Sequence, residues 1–333
     1  MRVGHANLIS GPPVAKGMDE IDVRICGQLM ANSRVPLREL AERLGLSLQA
    51  VHRRIQVMQE QGVIKGYPAS PSLSYLNAVV VYILGPAAVP DLNEAIAELR
   101  RCDRTYIVLV SGFNFLSIGA ILKDMSELER YVDLVRRVTA MTEPKVGLMS
   151  ATQLNQAELP EAERGEELTA LDYRIIRSLR KDARRPLEEV AAEVGASAAT
   201  ARRRLDRMVD KGLISLGVDW RPSASGDVVS QLHITLRPGA DKLRTGHAIM
   251  ARHSSHLLAF VTFGNLPDFI LAVVWTRSMK DLSALVGQVA AEEGVASVQP
   301  NVVISEDRYD TWIDKLVERR AARGTAPPGE GQQ

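Results

Sequence analysis

The chain has 333 residues, 46% hydrophobic and 24% charged, and its 41 basic and 40 acidic side chains leave a formal net charge of +1. Such a composition excludes disordered, collagen-like and disulfide-scaffold proteins, and the length calls for two or more domains with cores of their own. Cys26 and Cys102 are too few to staple a chain of this size, so both read as reduced thiols.

Residues 1–17 contain Gly11, Pro12 and Pro13 and lack the basic start and sustained apolar run of a secretory signal, so they read as a flexible leader. Across 18–67 the apolar residues Ile21, Ile25 and Leu29 recur at helical spacing, and Pro36 opens a short second helix carrying Leu40, Ala41 and Leu44. Gly45 supplies the turn and Ser47 the cap of a third helix running to about Gln61. On that helix Val51, Ile55 and Met58 share one face, which leaves Gln49, Arg53 and Gln56, flanked by His52, on the other. Amides and guanidiniums on an exposed helix can reach base edges and phosphates in a major groove, so 18–67 is expected to be a helix-turn-helix DNA-binding unit.

The apolar period then falls from 3.6 to about 2. Strands are expected at 78–84, 105–112, 115–122 and 145–152, with helices at 91–101 and 126–140, which makes 76–152 a βαββαβ ferredoxin-like unit. A four-stranded sheet with both helices on one side leaves its other face in need of a partner. Residues 153–168 hold Pro160 and five glutamates, and read as a solvated acidic linker.

Residues 171–214 repeat 21–64 without a gap at an offset of 150, with matches that include Asp22/Asp172, Arg34/Arg184, Pro36/Pro186, Gly45/Gly195, Ser47/Ser197 and Arg53/Arg203. The second helix-turn-helix unit, 169–220, turns Ala201, Leu205 and Met208 inward and Arg202 and Arg203 outward. It carries eleven basic and seven acidic residues across 169–217, or +4, against seven and six across 19–67, or +1, so it should supply more of the phosphate attraction. A second ferredoxin-like unit follows over 228–305, with strands at 230–237, 256–263, 268–275 and 297–304. The apolar stretch 257–275 approaches the length of a membrane span, but Gly264, Asn265, Pro267 and Asp268 at its middle mark a turn between two strands. Residues 306–333 read as a basic helix ending in a disordered Gly- and Pro-rich tail. The fold class is therefore α+β, a tandem duplication in which the two sheets pair with each other or with those of a second chain.

The runs Ile21-Asp22-Val23-Arg24-Ile25 and Leu171-Asp172-Tyr173-Arg174-Ile175, with Glu39-Leu40-Ala41, Gly45-Leu46-Ser47, Val51 to Ile55 and Gly62 to Tyr67, resemble the Lrp/AsnC family of leucine-responsive, or feast/famine, regulators. The resemblance covers about 18–152 and 169–305. It implies a cytoplasmic, homo-oligomeric transcription regulator that binds double-stranded DNA and senses a small-molecule effector, commonly an amino acid, with no catalytic residue, metal or cofactor. The DNA contacts are expected from Ser47, Gln49, His52, Arg53, Arg54 and Gln56, and from Ser197, Thr200, Arg202, Arg203, Arg204 and Arg207. Arg54 and Arg204 lie at the core margin, where phosphate contact or pairing within the chain suits them better than base reading. The family's effector turn implies Gly264, Asn265 and Asp268 in the second copy, and Gly112 and Asn114 in the first, which lacks an acid there. Two departures stand out: family members mostly carry a single unit per chain, and the second copy reads Gly217-Val218 where the first closes with Gly66-Tyr67.

Two other classes of function compete. A sirohaem decarboxylase-like enzyme on the same fold would use His247, His253 and His256, although a helix-to-strand boundary separates the last two. A ligand-sensing or partner-binding module that has lost DNA binding would not need the run Arg202-Arg203-Arg204. On the charge argument, loss of Arg203 weakens DNA binding more than loss of Arg53; a titration of both variants checks this ranking, and equal losses contradict it.

Overall fold

A computed structural model describes residues 17–149 and 165–323, so expectations for most of the leader, the linker, the tail and the end of the strand at 145–152 lie outside the described residues. The first helical unit comprises α1 (Glu20–Ala31), α2 (Leu37–Leu44) and α3 (Leu48–Glu60). Asp19 and Asp22 form a capping box at the start of α1, and the Ser47 hydroxyl accepts the Ala50 amide at 3.1 Å to start α3. Between α2 and α3 the chain turns at Gly45, whose φ of 67° is left-handed and favours glycine. Two short strands follow, β1 (Ile64–Gly66) and β2 (Ala69–Pro71).

The first ferredoxin-like unit then runs β3 (Val79–Pro86), α4 (Leu92–Arg101), β4 (Thr105–Ser111), β5 (Phe115–Leu122), α5 (Leu128–Thr139) and β6 (Lys145–Leu148). The second copy repeats this plan with α6 (Ala170–Leu179), α7 (Leu187–Val194) and α8 (Ala198–Asp210), then β7 (Ile214–Leu216) and β8 (Asp219–Trp220). Its sheet unit is β9 (Val228–Leu236), α9 (Lys242–His253), β10 (Leu257–Thr262), β11 (Phe269–Thr276), α10 (Met279–Ala290) and β12 (Val295–Arg308), and α11 (Trp312–Ala322) ends the described chain. Among the described residues no helix is long and apolar enough to cross a membrane.

The copies pair within the chain, a choice the sequence left open. Among the described residues the sheet units merge into one sheet of order β10-β11-β9-β12-β4-β5-β3-β6, joined where β12 runs antiparallel to β4 from Val303 opposite Ser111 to Arg308 opposite Ile107. The strand expected at 297–304 is therefore longer than its local pattern, because its first part pairs with β9 and its last part with a strand of the other copy. The two outer edges meet as well: Met149 bridges Phe263, and the Asn265 amide accepts from Leu148 N at 2.7 Å and donates to Val146 O at 2.8 Å. Gly147 permits that closure, since a Cβ there would lie 2.4 Å from the Phe263 ring.

Leu84, Val261, Phe263, Phe269 and Leu271 form a separate apolar cluster against Tyr82 and Phe115, in which the bare faces of the two sheet units cover each other. The short strands cross between copies, β1 with β8 and β2 with β7, and the two helical units share one core from Met18 to Ala321. Part of the expected linker belongs to this body: Leu168 is buried and Glu166 pairs with Arg207 at 2.7 Å. The predicted C-terminal helix, α11, packs Val317 and Ala321 into the same core, while Trp312 Nε1 donates to Ile121 O of the first copy at 2.9 Å.

His233 lies between the edges of Phe115 and Phe269, and burial, reinforced by the Lys145 ammonium, pushes its pKa down to about 4. The unfolded imidazole takes up a proton near pH 6.5 that the folded one refuses, so stability present above that pH is lost as pH falls toward 4. Denaturant titrations at pH 7 and pH 4.5 are expected to lose about 2 kcal/mol more in the wild type than in His233→Leu; equal losses in the two proteins contradict this assignment.

Candidate nucleic-acid interface

Helices α3 and α8 are each held by the same internal device. Arg54 of α3 reaches back to Asp19 and Asp22, at 2.8 Å from each carboxylate. Burial opposes ionisation of Asp19, but the hydrogen bonds from Arg54 and the Asp22 amide outweigh it and hold that carboxyl below its usual range. In the second copy Arg204 donates to Asp172 at 3.1 Å and to the Thr169 hydroxyl at 3.0 Å, while Arg207 reaches Asp172 at 3.1 Å as well as Glu166. Asp172 is fully buried, so these guanidiniums neutralise a carboxylate that solvent cannot. Arg54, Arg204 and Arg207, expected among the DNA contacts, thus turn toward their own scaffold. For Arg54 and Arg204 this is the pairing within the chain that suits their place at the core margin; Arg207 likewise pairs with acidic residues 35 and 41 positions earlier.

The remaining candidates face outward. Ser47, Gln49, His52, Arg53 and Gln56 are exposed along α3, as are Ser197, Arg202 and Arg203 along α8, with Thr200 half-buried. Ser47 and Ser197 spend their hydroxyls on the helix caps, where Ser197 accepts the Thr200 amide at 3.1 Å. Arg53 and Arg203 have no ion pair among the described residues, and Arg202 stands a loose 4.0 Å from Glu188. An open hollow of about 490 Å³ runs along α8 beside Ala199, Arg202, Arg203 and Asp206.

One cation at this surface was legible only as a repeat match. Arg34, between α1 and α2, crosses to the second unit and donates to the carbonyls of Ala183 and Arg185, the latter at 3.1 Å. Burial, with the nearby charges of Arg184 and Arg202, lowers its pKa from the guanidinium norm. Its repeat partner Arg184 packs over the Tyr67 ring at 5.0 Å. The matched arginines therefore lock one helical unit against the other.

The turns expected to hold an effector are largely engaged. Asn265 clasps β6, Gly264 N donates to Leu148 O at 2.9 Å, and Asn114 Nδ2 donates to Ala87 O at 2.7 Å. Gly112 is left-handed at φ 55° and donates to Val302 O of the other copy. Asp268 is exposed, but the carbonyls of Phe263 and Leu266 already accept the Lys242 ammonium at 2.7 and 2.9 Å. The three histidines are engaged separately: His253 with Glu292 at 3.1 Å, His256 with Trp275 O at 3.1 Å, and His247 toward solvent. Among the described residues no group of three or more His, Cys, Asp or Glu could hold a metal.

Comparison with known proteins agrees with this geometry. A winged helix-turn-helix DNA-binding family model matches residues 18–65, and an AsnC-type helix-turn-helix domain model matches 168–209. An uncharacterised HTH-type transcriptional regulator of Pyrococcus abyssi is 33% identical over 127 residues, which cover 37% of this chain and 82% of that protein. The proline dehydrogenase transcriptional activator of Rhodobacter capsulatus is 35% identical over 106 residues, 30% of this chain and 68% of that one. Among solved structures, the siroheme decarboxylase NirDL superposes with a TM-score of 0.57 at 14% identity, over 92% of this chain and all 100% of that chain, a likeness of fold.

Because Asp172 is buried under two guanidiniums, Asp172→Ala is expected to cost about 3 kcal/mol in a denaturant titration, more than Asp22→Ala, whose side chain is 12% exposed and faces one arginine. Equal losses contradict the assignment.

Proposed function

The chain belongs to the Lrp/AsnC family of helix-turn-helix transcriptional regulators, and we propose that a single chain reads DNA with both α3 and α8, as one rigid two-headed body. The crossed pairing of β1 with β8 and of β2 with β7 carries this reading, because it ties each recognition helix to the other copy without a second chain. Half-sites then recur at about one helical turn of DNA, roughly 10 bp, or a multiple of it. Homo-oligomers, where they form, assemble from such bodies.

The division of labour follows from the side chains. Of the candidate arginines, Arg53, Arg202 and Arg203 are free to reach phosphate and bases, while Arg54, Arg204 and Arg207 hold the helices that present them. An amino-acid effector would bind at the 263–268 turn, where the grip of two carbonyls on the Lys242 ammonium supports a preference for that group. Binding would then proceed by displacement of Lys242. The likeness to a siroheme decarboxylase is one of fold, and the separate engagement of His253 and His256 supports the regulatory reading over that chemistry.

Fluorescence anisotropy on the DNA upstream of the protein's own gene, with random DNA as competitor and a salt series, tests the proposal. Tight, competitor-resistant binding with a steep salt slope is expected, and Arg203→Ala reduces that slope by about one. Arg204→Ala lowers the melting temperature instead. No binding at low salt, to this DNA or to a random-sequence pool, overturns the reading.

A further inference from the structure

The two recognition helices share a scaffold face but not a reading face. Inward positions correspond closely at the offset of 150: Val51, Ile55 and Met58 match buried Ala201, Leu205 and Met208, and Arg54 and Arg204 pair with corresponding carboxylates. Outward positions diverge. Gln49 and Gln56 of α3 become Ala199 and Asp206 in α8, His52 becomes Arg202, and beyond the capping pair Ser47 and Ser197 only Arg53 keeps its counterpart, in Arg203. All these outward residues are exposed.

Their chemistries select different base pairs. A glutamine amide donates and accepts at once, which matches the N7 acceptor and N6 donor of adenine, and Leu48 at the start of α3, 50% exposed, offers an apolar surface to a thymine methyl. Gln56 rests on Glu60 at 2.9 Å, an exposed contact one helical turn away that it can leave at small cost. On α8 the amides and the leucine are gone. Arg202 adds a second guanidinium fork, suited to O6 and N7 of guanine, to the one that Arg203 shares with Arg53, and the Asp206 carboxylate can only accept, as the N4 amino group of cytosine requires.

From this divergence we infer that the operator is asymmetric, with an A·T-rich half-site read by α3 and a G·C-rich half-site read by α8. The inference rests on the DNA-binding reading above and adds the identity and polarity of the two halves. Because the copies cannot exchange places within one chain, the protein binds such a site in a single orientation.

Selection of the full-length protein against a random duplex library tests this, followed by titration of the recovered element. A non-palindromic element with one A·T-rich and one G·C-rich half is expected, in which replacing either half weakens binding about tenfold or more. The triple substitution Ala199→Gln, Arg202→His and Asp206→Gln places the outward polar residues of α3 on α8, and its folding is checked by thermal melting. That variant is expected to select two A·T-rich halves. Recovery of an inverted repeat of one half-site by the wild type overturns the inference while leaving DNA binding intact, and so does a folded variant whose selected site is unchanged. Failure of the wild type to enrich any sequence overturns the DNA-binding reading itself.

Discussion

The antiparallel pairing of β12 with β4 is the contact on which the rest of the molecule depends. A four-stranded sheet with helices on one side presents two problems, an open edge of unpaired amides and carbonyls and a bare apolar face. Here each copy solves both for the other. The last part of β12, from Val303 to Arg308, covers the edge strand of the first copy, and this brings Phe263 and Phe269 over Leu84 and Tyr82. The opposite edges then lie close enough for the Asn265 amide to stand in for a strand against β6. Duplication places within one chain the interface that a single-unit protein would have to form with a second chain.

The same logic extends to the helical units. Strands as short as β8 or β2 are not stable by themselves; each exists because a partner from the other copy supplies its hydrogen bonds and because both lie on a shared core. Arg34 reinforces the join by donating to two carbonyls across it. Within each unit the buried aspartate and its arginine fix the roll of the recognition helix, so that one face is committed to the scaffold and the other is left to vary. Conformity inside and divergence outside are consequences of that separation, because an inward change leaves a buried charge unpaired and an outward one does not.

Much of this was legible in the sequence. The apolar spacing of Ile21, Ile25 and Leu29, the caps at Ser47 and Ser197 and the turns at Gly45 and Gly195 are local signals, and local hydrogen bonds and backbone angles satisfy them. The position of Arg54 and Arg204 at the margin of an apolar face also pointed to pairing within the chain. What the sequence could not reveal depends on residues far apart in it. Arg207 turns inward because Glu166 and Asp172 sit beneath it, and β12 runs past Ile304 because β4 waits some 190 residues earlier. The three-residue strands are too short for a period to register. Lys242 gave no hint that it fills the turn at 263–268, since its ammonium and the two carbonyls meet only after α9 and β11 have packed.

The claim that the copies pair inside one chain is tested most directly by zero-length cross-linking of the unmodified protein, prepared as a refolded mixture of unlabelled and nitrogen-15-labelled chains. Lys315 Nζ lies 2.7 Å from Asp103 Oδ2, joining the helix that ends the second copy to a loop of the first, so an amide bond between them reports the pairing. Cross-linked peptides in which both halves carry the same isotope are expected. Peptides with one labelled and one unlabelled half, in the proportion expected of random exchange, would mean that the sheets are completed between chains and would contradict the claim.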